Sequence, residues 1–377
     1  MRILLVGNYV PDRQESMLRF GVLMERELSR RGHSVTLLQP QPMLGKVRVF
    51  GGKLAKWLAY VDKFILFPKT LKANKGKFDL VHICDHSNAM YVKHLDGMPH
   101  VVTCHDVLAI KSALGEVPQN FVSATGRKFQ QLILSGLKRA QFIVCDSEAT
   151  RHDLLRIAGK TTDSATVVYL SLNYPYSPML PDEASGRLHA LDFKTESKFF
   201  VHVGGTVWYK NKLGVLQIFK AIRSMRGMSD YRLLMLGKPL SPSLLEFIAS
   251  NNLAGAVEMK SGVSNEDLRA AYSLADGLIF PSLQEGFGWP ILEAQACGCP
   301  VFTTGRAPMS EVGGEAAIYF EPSSPEEAAD RIVSALDRAE AISAQGLANV
   351  AKFSVDNMID GYVKSYLQAL SHHRDSL

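Results

Sequence analysis

The sequence predicts an α/β protein of two doubly wound, parallel-sheet, Rossmann-like domains that face an interdomain cleft. Three observations predict it. Short apolar runs alternate with amphipathic stretches along most of the chain. The alternation breaks once, over 173–198, and then restarts. The 377 residues are too many for one ordinary core, whereas two domains of roughly 100–200 residues fit.

Residues 2–7, RILLVG, form a short apolar run closed by Gly7, the pattern of a buried strand. Over 16–31, Leu18, Val22, Leu23 and Leu28 share one side of a helix that Gly32 ends. HSVTLLQP is the next strand, followed by FDLVHIC (78–84), HVVTCHD (100–106) and QFIVCDS (141–147). Strands joined by helices imply a parallel sheet with right-handed crossovers. The first domain is expected over 1–180. Pro175, Pro178, Pro181 and scattered charges then mark a linker, drawn at 181–198. The second domain, 199–353, alternates again. Strands are expected at 199–205, 231–237, 256–262, 276–282, 300–304 and 316–320, and helices at 212–226, 241–251, 264–275, 289–297 and 325–338. A last helix, 354–372, is expected to pack back on the first domain.

Composition is that of a soluble globular protein, 46% apolar and 21% charged. Five cysteines are an odd number in a long chain, which argues for a reducing compartment rather than a disulfide framework. Cys297 and Cys299 have no second pair at zinc-site spacing, so no metal is expected. The apolar run after Arg2 is too short for a secretory segment, and no run approaches the roughly 18 residues of a membrane span. A cytoplasmic protein, at most peripheral on the inner face of a membrane, is the expectation. The net charge of +5 is uneven: residues 1–195 carry +9 and the remainder −4. Much of the excess lies in 46–77, where nine basic residues face Asp62 alone among Trp57, Tyr60, Phe64 and Phe67. Two readings stand: a solvated helix face over core, or a surface that docks on anionic lipid. No recognition motif accompanies the charge, so nucleic acid is not an expected partner.

The loops after the strands carry the chemistry. GNYVPD, after the first strand, has one glycine and lacks the close-approach glycines of a dinucleotide site. In HVGGTVWYKNK, Gly204 and Gly205 end a strand, with Lys210 and Lys212 beyond. This is either a ligand loop with positive charge or a turn into a solvated helix. EGFGWPILEA (285–294) is more informative. Pro290 suits the first turn of a helix, so backbone N–H groups near Gly286–Trp289 point at the cleft as an anion site, worth ~0.3–2 kcal/mol per charge. Glu285 and Glu293 repel a phosphate but accept hydrogen bonds from sugar hydroxyls. A diphosphate flanked by hydroxyl-bearing groups describes a nucleotide sugar. The plain alternative is a loop acid and a solvated helix residue. TCHDV puts His105 and Asp106 at a strand end, as ligand contacts or structural groups. Arg127 and Lys128 at a helix start oppose its dipole, and suit either solvent or a ligand.

In order, TCHDV, QFIVCDSEATRHDLLR, FVHVGG with YKN, LLMLG, GVSNEDLRAAYSLADGLIFPSLQEGFGWPILEAQACGCPVFTT and EVGGEAAIYFEP resemble glycosyltransferase family 4, which has the GT-B fold. The similarity covers most of 1–370 and is dense over 199–338. Its most specific feature is Glu285 and Glu293 with seven residues between them. The resemblance implies retaining, metal-independent transfer of a hexosyl unit, with no cofactor, from a nucleotide diphosphate sugar (a UDP- or GDP-sugar first). The acceptor would be a glycan or a lipid-linked sugar, in surface polysaccharide or glycoconjugate synthesis. By the same resemblance Glu285 binds donor-sugar hydroxyls and Glu293 the ribose. Backbone at Gly204, Gly205, Gly286, Phe287 and Gly288 meets the sugar and diphosphate. Lys210 neutralises the leaving group, and His105 lies near the donor sugar. Asp106 and Arg127 are further candidate donor or acceptor contacts. Front-face attack is the favoured route in the family, and a covalent intermediate the other. One departure stands out: Gly205 occupies a position where the family often has Arg, and Lys212 is the candidate substitute. The other functional classes are a silent GT-B relative that serves as a binding or assembly subunit, and a GT-B epimerase or phosphorylase.

Overall fold

A computed structural model describes residues 1–44, 58–74 and 76–374. The chain forms two compact units, residues 1–173 together with the C-terminal helix Val355–Arg374, and residues 174–354.

The first unit holds strands β1 (Arg2–Val6), β2 (Ser34–Leu38), β3 (Leu80–Ile83), β4 (His100–Cys104), β5 (Phe142–Cys145) and β6 (Ala165–Val167). All pairs are parallel, in the order β2-β1-β3-β4-β5-β6. β3, β4 and β5 are buried along their whole length, which is why they read as unbroken apolar runs. Helices α1 (Glu15–Arg30), α2 (Phe67–Ala73), α3 (Leu108–Ala113), α4 (Ala124–Arg139) and α5 (Glu148–Ala158) cross between them. α1 buries Phe20, Met24 and Leu28, spaced four apart. The three-residue strand β6 is too short to show as an apolar run, and sequence reading missed it.

The C-terminal helix is tied to this unit by a buried polar network. His82 Nε2 meets Thr103 Oγ1 at 2.7 Å, and its Nδ1 meets Tyr366 OH at 2.8 Å. Thr103 Oγ1 also meets Tyr362 OH at 3.0 Å. Burial pushes the pKa of His82 down to about 3, with the charge of His105 adding to the effect, so the ring is neutral and serves as donor and acceptor.

Of the basic stretch 46–77, residues 46–57 and 75 lie outside the described residues. In the described part the two sides separate. Phe67 and Leu71 join the core with Phe64 packed against it, while Lys69, Lys72 and Lys77 are exposed. Asp62 is buried and accepts from Tyr9 OH at 3.2 Å and Leu44 N at 3.0 Å. Ile65, 52% exposed, is the large apolar side chain left facing outward among the described residues of this stretch. No helix among the described residues is long and apolar enough to cross a membrane.

The second unit opens with α6 (Pro181–Ala190), where a linker was expected. Pro181 occupies the first turn, where proline is favoured, and Asp182 and Glu183 complement the helix N-terminus. Ala184 and Leu188, four apart, are fully buried. The prolines that suggested a linker therefore precede and start a helix. Strands β7 (Phe199–Gly204), β8 (Arg232–Gly237), β9 (Val257–Lys260), β10 (Gly277–Phe280), β11 (Val301–Thr304) and β12 (Ala317–Phe320) form a parallel sheet ordered β12-β11-β10-β7-β8-β9. Helices α7 (Lys212–Ser224), α8 (Pro242–Ser250), α9 (Asn265–Leu274), α10 (Trp289–Ala296), α11 (Met309–Gly313), α12 (Pro325–Leu336) and α13 (Ala339–Val350) complete the unit. Phe200, Phe219, Leu233 and Phe302 lie at the centre of its core.

In each sheet the direction of chain progression reverses at one strand pair, β1/β3 in the first unit and β7/β10 in the second. Loops leaving the C-terminal ends of such a pair diverge, and ligands of open α/β sheets bind in the gap.

Candidate functional site

The β7/β10 gap of the second unit gathers most of the residues singled out in the sequence. After Gly204 the chain makes a short turn, Trp208–Lys210, and enters α7 through Asn211 at φ 49°. Asn211 Oδ1 accepts from Gly214 N at 3.2 Å and caps the helix. Its Nδ2 donates to the Pro281 carbonyl at 3.1 Å, on the loop that follows β10. Leu283 N donates to the Tyr209 carbonyl at 2.8 Å. The two loops are thus stitched together, and the stitching brings Lys210 to Glu285.

Lys210 Nζ lies 2.7 Å from Glu285 Oε1 and 5.0 Å from the centre of the Phe280 ring. Ser282 Oγ is 2.5 Å from the same carboxylate oxygen. The Lys210 and Glu285 side chains are only 15% and 9% exposed, so the pair is weakly screened and held at a defined place.

Three residues on, Gly288 at φ 107° turns the chain into α10, with Pro290 in its first turn and no side-chain cap. Phe287 is buried and packs edge-on to Trp289 and Phe353, which anchors the bend. Glu293 lies on α10 itself, buried, with Oε2 accepting from Tyr272 OH at 3.1 Å. Burial and the nearby carboxylate hold the Tyr272 hydroxyl well above its usual pKa, so it stays a donor.

Beside these groups lies a cavity of about 520 Å³, lined in part by Gly204, Gly205, Lys210, Gly237, Lys238 and Pro290. Residues 261–263 close another wall. Its glycines have different causes. A Cβ on Gly237, at φ 137°, would stand 2.2 Å from the Gly204 carbonyl oxygen. Only glycine fits there. A Cβ on Gly205 would meet nothing within 4 Å. Gly205 is therefore not demanded by packing and leaves open space.

Lys212 is placed otherwise than a substitute phosphate cation requires. It is buried, and its Nζ donates to the Lys238 carbonyl at 2.7 Å. Burial lowers its pKa. Its ammonium braces the β8 loop from behind.

His105, Asp106 and Arg127 belong to the first unit. Asp106 Oδ1 accepts from Leu108 N at 2.9 Å and so helps start α3. Arg127 is exposed in the first turn of α4, whose cap is Ser123. His105 is buried with both ring nitrogens engaged: Nδ1 lies 2.6 Å from Asp146 Oδ2 and Nε2 2.9 Å from the Cys84 carbonyl. A carbonyl can only accept, so Nε2 carries a proton. Burial works against charge on the ring, but the Asp146 carboxylate, its hydrogen bond, Asp85 and the Cys84 carbonyl outweigh it and raise the pKa to about 9. His105 is an imidazolium at neutral pH, without a lone pair to act as a base. Burial also lifts the Asp146 carboxyl, against the pull of His105.

Asp146, Asn211 and Tyr272, which contact or position these candidate residues, escaped sequence reading. For Asp146 a signal existed. β4 and β5 end at Cys104 and Cys145, followed by His-Asp and Asp-Ser, and the register Cys104↔Cys145 sets the next residues, His105 and Asp146, side by side. Among the described residues no group of three or more His, Cys, Asp or Glu side chains is placed to hold a metal ion. The five cysteines are buried free thiols.

Two six-stranded parallel sheets flanked by helices, with glycine loops at a strand-order reversal, define a GT-B protein. Solved structures agree on the fold. Sucrose-phosphate synthase from Thermosynechococcus elongatus superposes with a TM-score of 0.73 at 16% identity, covering 99% of this chain and 100% of that one. HepE of Anabaena, solved with UDP and glucose, gives a TM-score of 0.74 at 14% identity, over 97% and 99%. A family model described as Glycosyltransferase Family 4 matches residues 22–172, and one described as Glycosyl transferases group 1 matches 189–348. The chain belongs to the family 4 glycosyltransferases. Among curated relatives, the O-antigen chain mannosyltransferase B of Escherichia coli is 25% identical over 279 residues, 71% of each chain. A D-inositol 3-phosphate glycosyltransferase of Mycolicibacterium smegmatis is 26% identical over 294 residues, 74% of this chain and 63% of that one.

Proposed function

We propose that the protein is a retaining glycosyltransferase that moves a hexosyl unit from a UDP- or GDP-sugar to a glycan or lipid-linked acceptor, without a metal ion or cofactor. The observation that carries this reading is Lys210, paired with Glu285, on a cavity of about 520 Å³, next to the start of α10, which has no side-chain cap. One cation, one carboxylate and a row of backbone N–H groups suit a diphosphate with a sugar beside it. The names of the relatives support it: one is an O-antigen mannosyltransferase, and HepE was solved with UDP and glucose.

In this reading Lys210 turns from Glu285 to the diphosphate, and Glu285 accepts from donor-sugar hydroxyls. Glu293 exchanges or shares its Tyr272 bond with the ribose. The anomeric C–O bond to the diphosphate breaks as the acceptor oxygen bonds the same carbon on the same face. The acceptor proton passes to the departing phosphate, and Lys210 stabilises the charge that develops there. His105 acts as a donor and not as a base. The test is a thermal-shift and hydrolysis screen against UDP-, GDP- and ADP-sugars, followed by transfer assays. Absence of binding to all three would point to a silent assembly subunit. A changed sugar without an acceptor would point to an epimerase.

We also propose that 46–77 meets an anionic lipid surface by the charge of Lys69, Lys72 and Lys77. Anionic vesicles should pellet the protein at low salt and release it at high salt. Failure to pellet at low salt overturns this.

A further inference from the structure

The donor reading leaves a shortage of positive charge. A diphosphate brings about two negative charges, and the cavity wall offers Lys210, whose ammonium is already paired with Glu285. Lys212 is turned away and bound to a carbonyl. Gly205 has no side chain at all.

One ammonium on the cavity is uncommitted. Lys238 lines it and is exposed, and its side chain has no hydrogen bond or ion pair with the described residues. Its position follows from the sheet. Gly204 and Gly237 are register partners at the C-terminal ends of β7 and β8, so the next residues, Gly205 and Lys238, leave the sheet side by side. Gly205, where a Cβ would meet nothing within 4 Å, and Lys238 line the same cavity. The Lys212 bond to the Lys238 carbonyl fixes the backbone from which this side chain springs.

We propose that Lys238 is the second cation for the donor diphosphate, reaching from the β8 side over the space that Gly205 leaves open. The inference rests on the donor-site reading above. In it, a lysine on β8 does from the neighbouring strand what a basic side chain at position 205 would do from β7. Lys212, expected to touch the phosphate, acts instead as the brace behind it.

The test measures binding of UDP and GDP by titration calorimetry at low and moderate salt. Lys238→Met keeps the length of the stem and removes the charge. It should weaken binding by about tenfold, with the loss shrinking as salt rises. Lys238→Arg should stay within about twofold of the native affinity. Because a Cβ at 205 meets nothing, Lys238→Met/Gly205→Arg should recover most of the loss. Native affinity in Lys238→Met overturns the proposal. So does an equal loss in Lys238→Met and Lys238→Arg, which would show that the native lysine shape matters and not its charge. Failure of the double variant to recover overturns the placement beside Gly205. A native protein that binds neither UDP nor GDP overturns the donor reading itself, whatever the Lys238 variants do.

Discussion

The two units share a parallel six-stranded sheet but treat its reversal point differently. At β1/β3 the first unit fills the gap with its own side chains. Asn8 Nδ2 donates to Asp85 Oδ2 and to Gln14 Oε1, each at 2.5 Å, and Asn88 Nδ2 donates to Asn8 Oδ1 at 3.1 Å. Asn8 and Asp85 are both 2% exposed. In the second unit glycines stand at the ends of β7 and β8 instead, and a cavity remains beside the reversal point, with Lys210, partnered by Glu285, in its wall. Strand order says where a ligand can sit. Whether the loops carry bulky polar groups or none decides whether space is left for it. The same contrast holds for the charged pairs. His105–Asp146 is closed at both ring nitrogens, while Lys210, paired with Glu285, lines a cavity.

The contrast can be broken most directly at Lys210. Lys210→Ala should lower kcat by about 10²–10³-fold, the cost of removing a principal charge stabiliser, while the melting temperature stays near native. Steady-state transfer assays check it, and retained turnover would remove the second unit's gap from the chemistry. Next in size is Gly237→Ala. The forced contact with the Gly204 carbonyl and the positive φ should cost about 1–3 kcal/mol and close part of the cavity. Urea denaturation together with nucleotide titration reads both effects. An unshifted midpoint would mean that the β7 and β8 ends yield to a methyl group without strain. The smallest effect sharpens the comparison from the other unit. The pKa of His105 is raised to about 9 in the folded protein, above the unfolded value of about 6.5. Its stabilisation is full below pH 6.5 and is lost as pH rises through 9. Urea midpoints should therefore fall across that window, and Asp146→Asn should flatten this part of the slope. An unchanged slope would show that Asp146 does not hold the charge on the ring.

Much of this was legible in the sequence, and what was missed has definable causes. Buried parallel strands announce themselves as apolar runs, so all six strands of the second unit could be placed. β6, three residues long, could not. Pro181 looked like a linker residue because proline both breaks helices and starts them. Ala184 and Leu188, four apart after two acids, were the sign of a start. At the candidate site, motif spacing along the chain singled out Lys210, Glu285 and Glu293, and the structure pairs the first two. Asp146 and Lys238 owe their positions to register between strands far apart in sequence. Lys212 misled because its number in the chain says nothing of which way a long side chain turns. Its burial comes from the first turn of α7 packing under the β8 loop.

The buried network of His82, Thr103, Tyr362 and Tyr366 also bears on the order of events during synthesis. Residues 174–354 form a continuous stretch and hold a complete core of their own. They can fold as soon as they leave the ribosome. The first unit, although made first, must wait with His82 Nδ1 lacking Tyr366 and Thr103 lacking Tyr362 until residues 355–374 emerge to cover them. The half of the chain synthesised first is thus the half that finishes last, and it is the nascent first unit that stands in need of protection from aggregation in the interval.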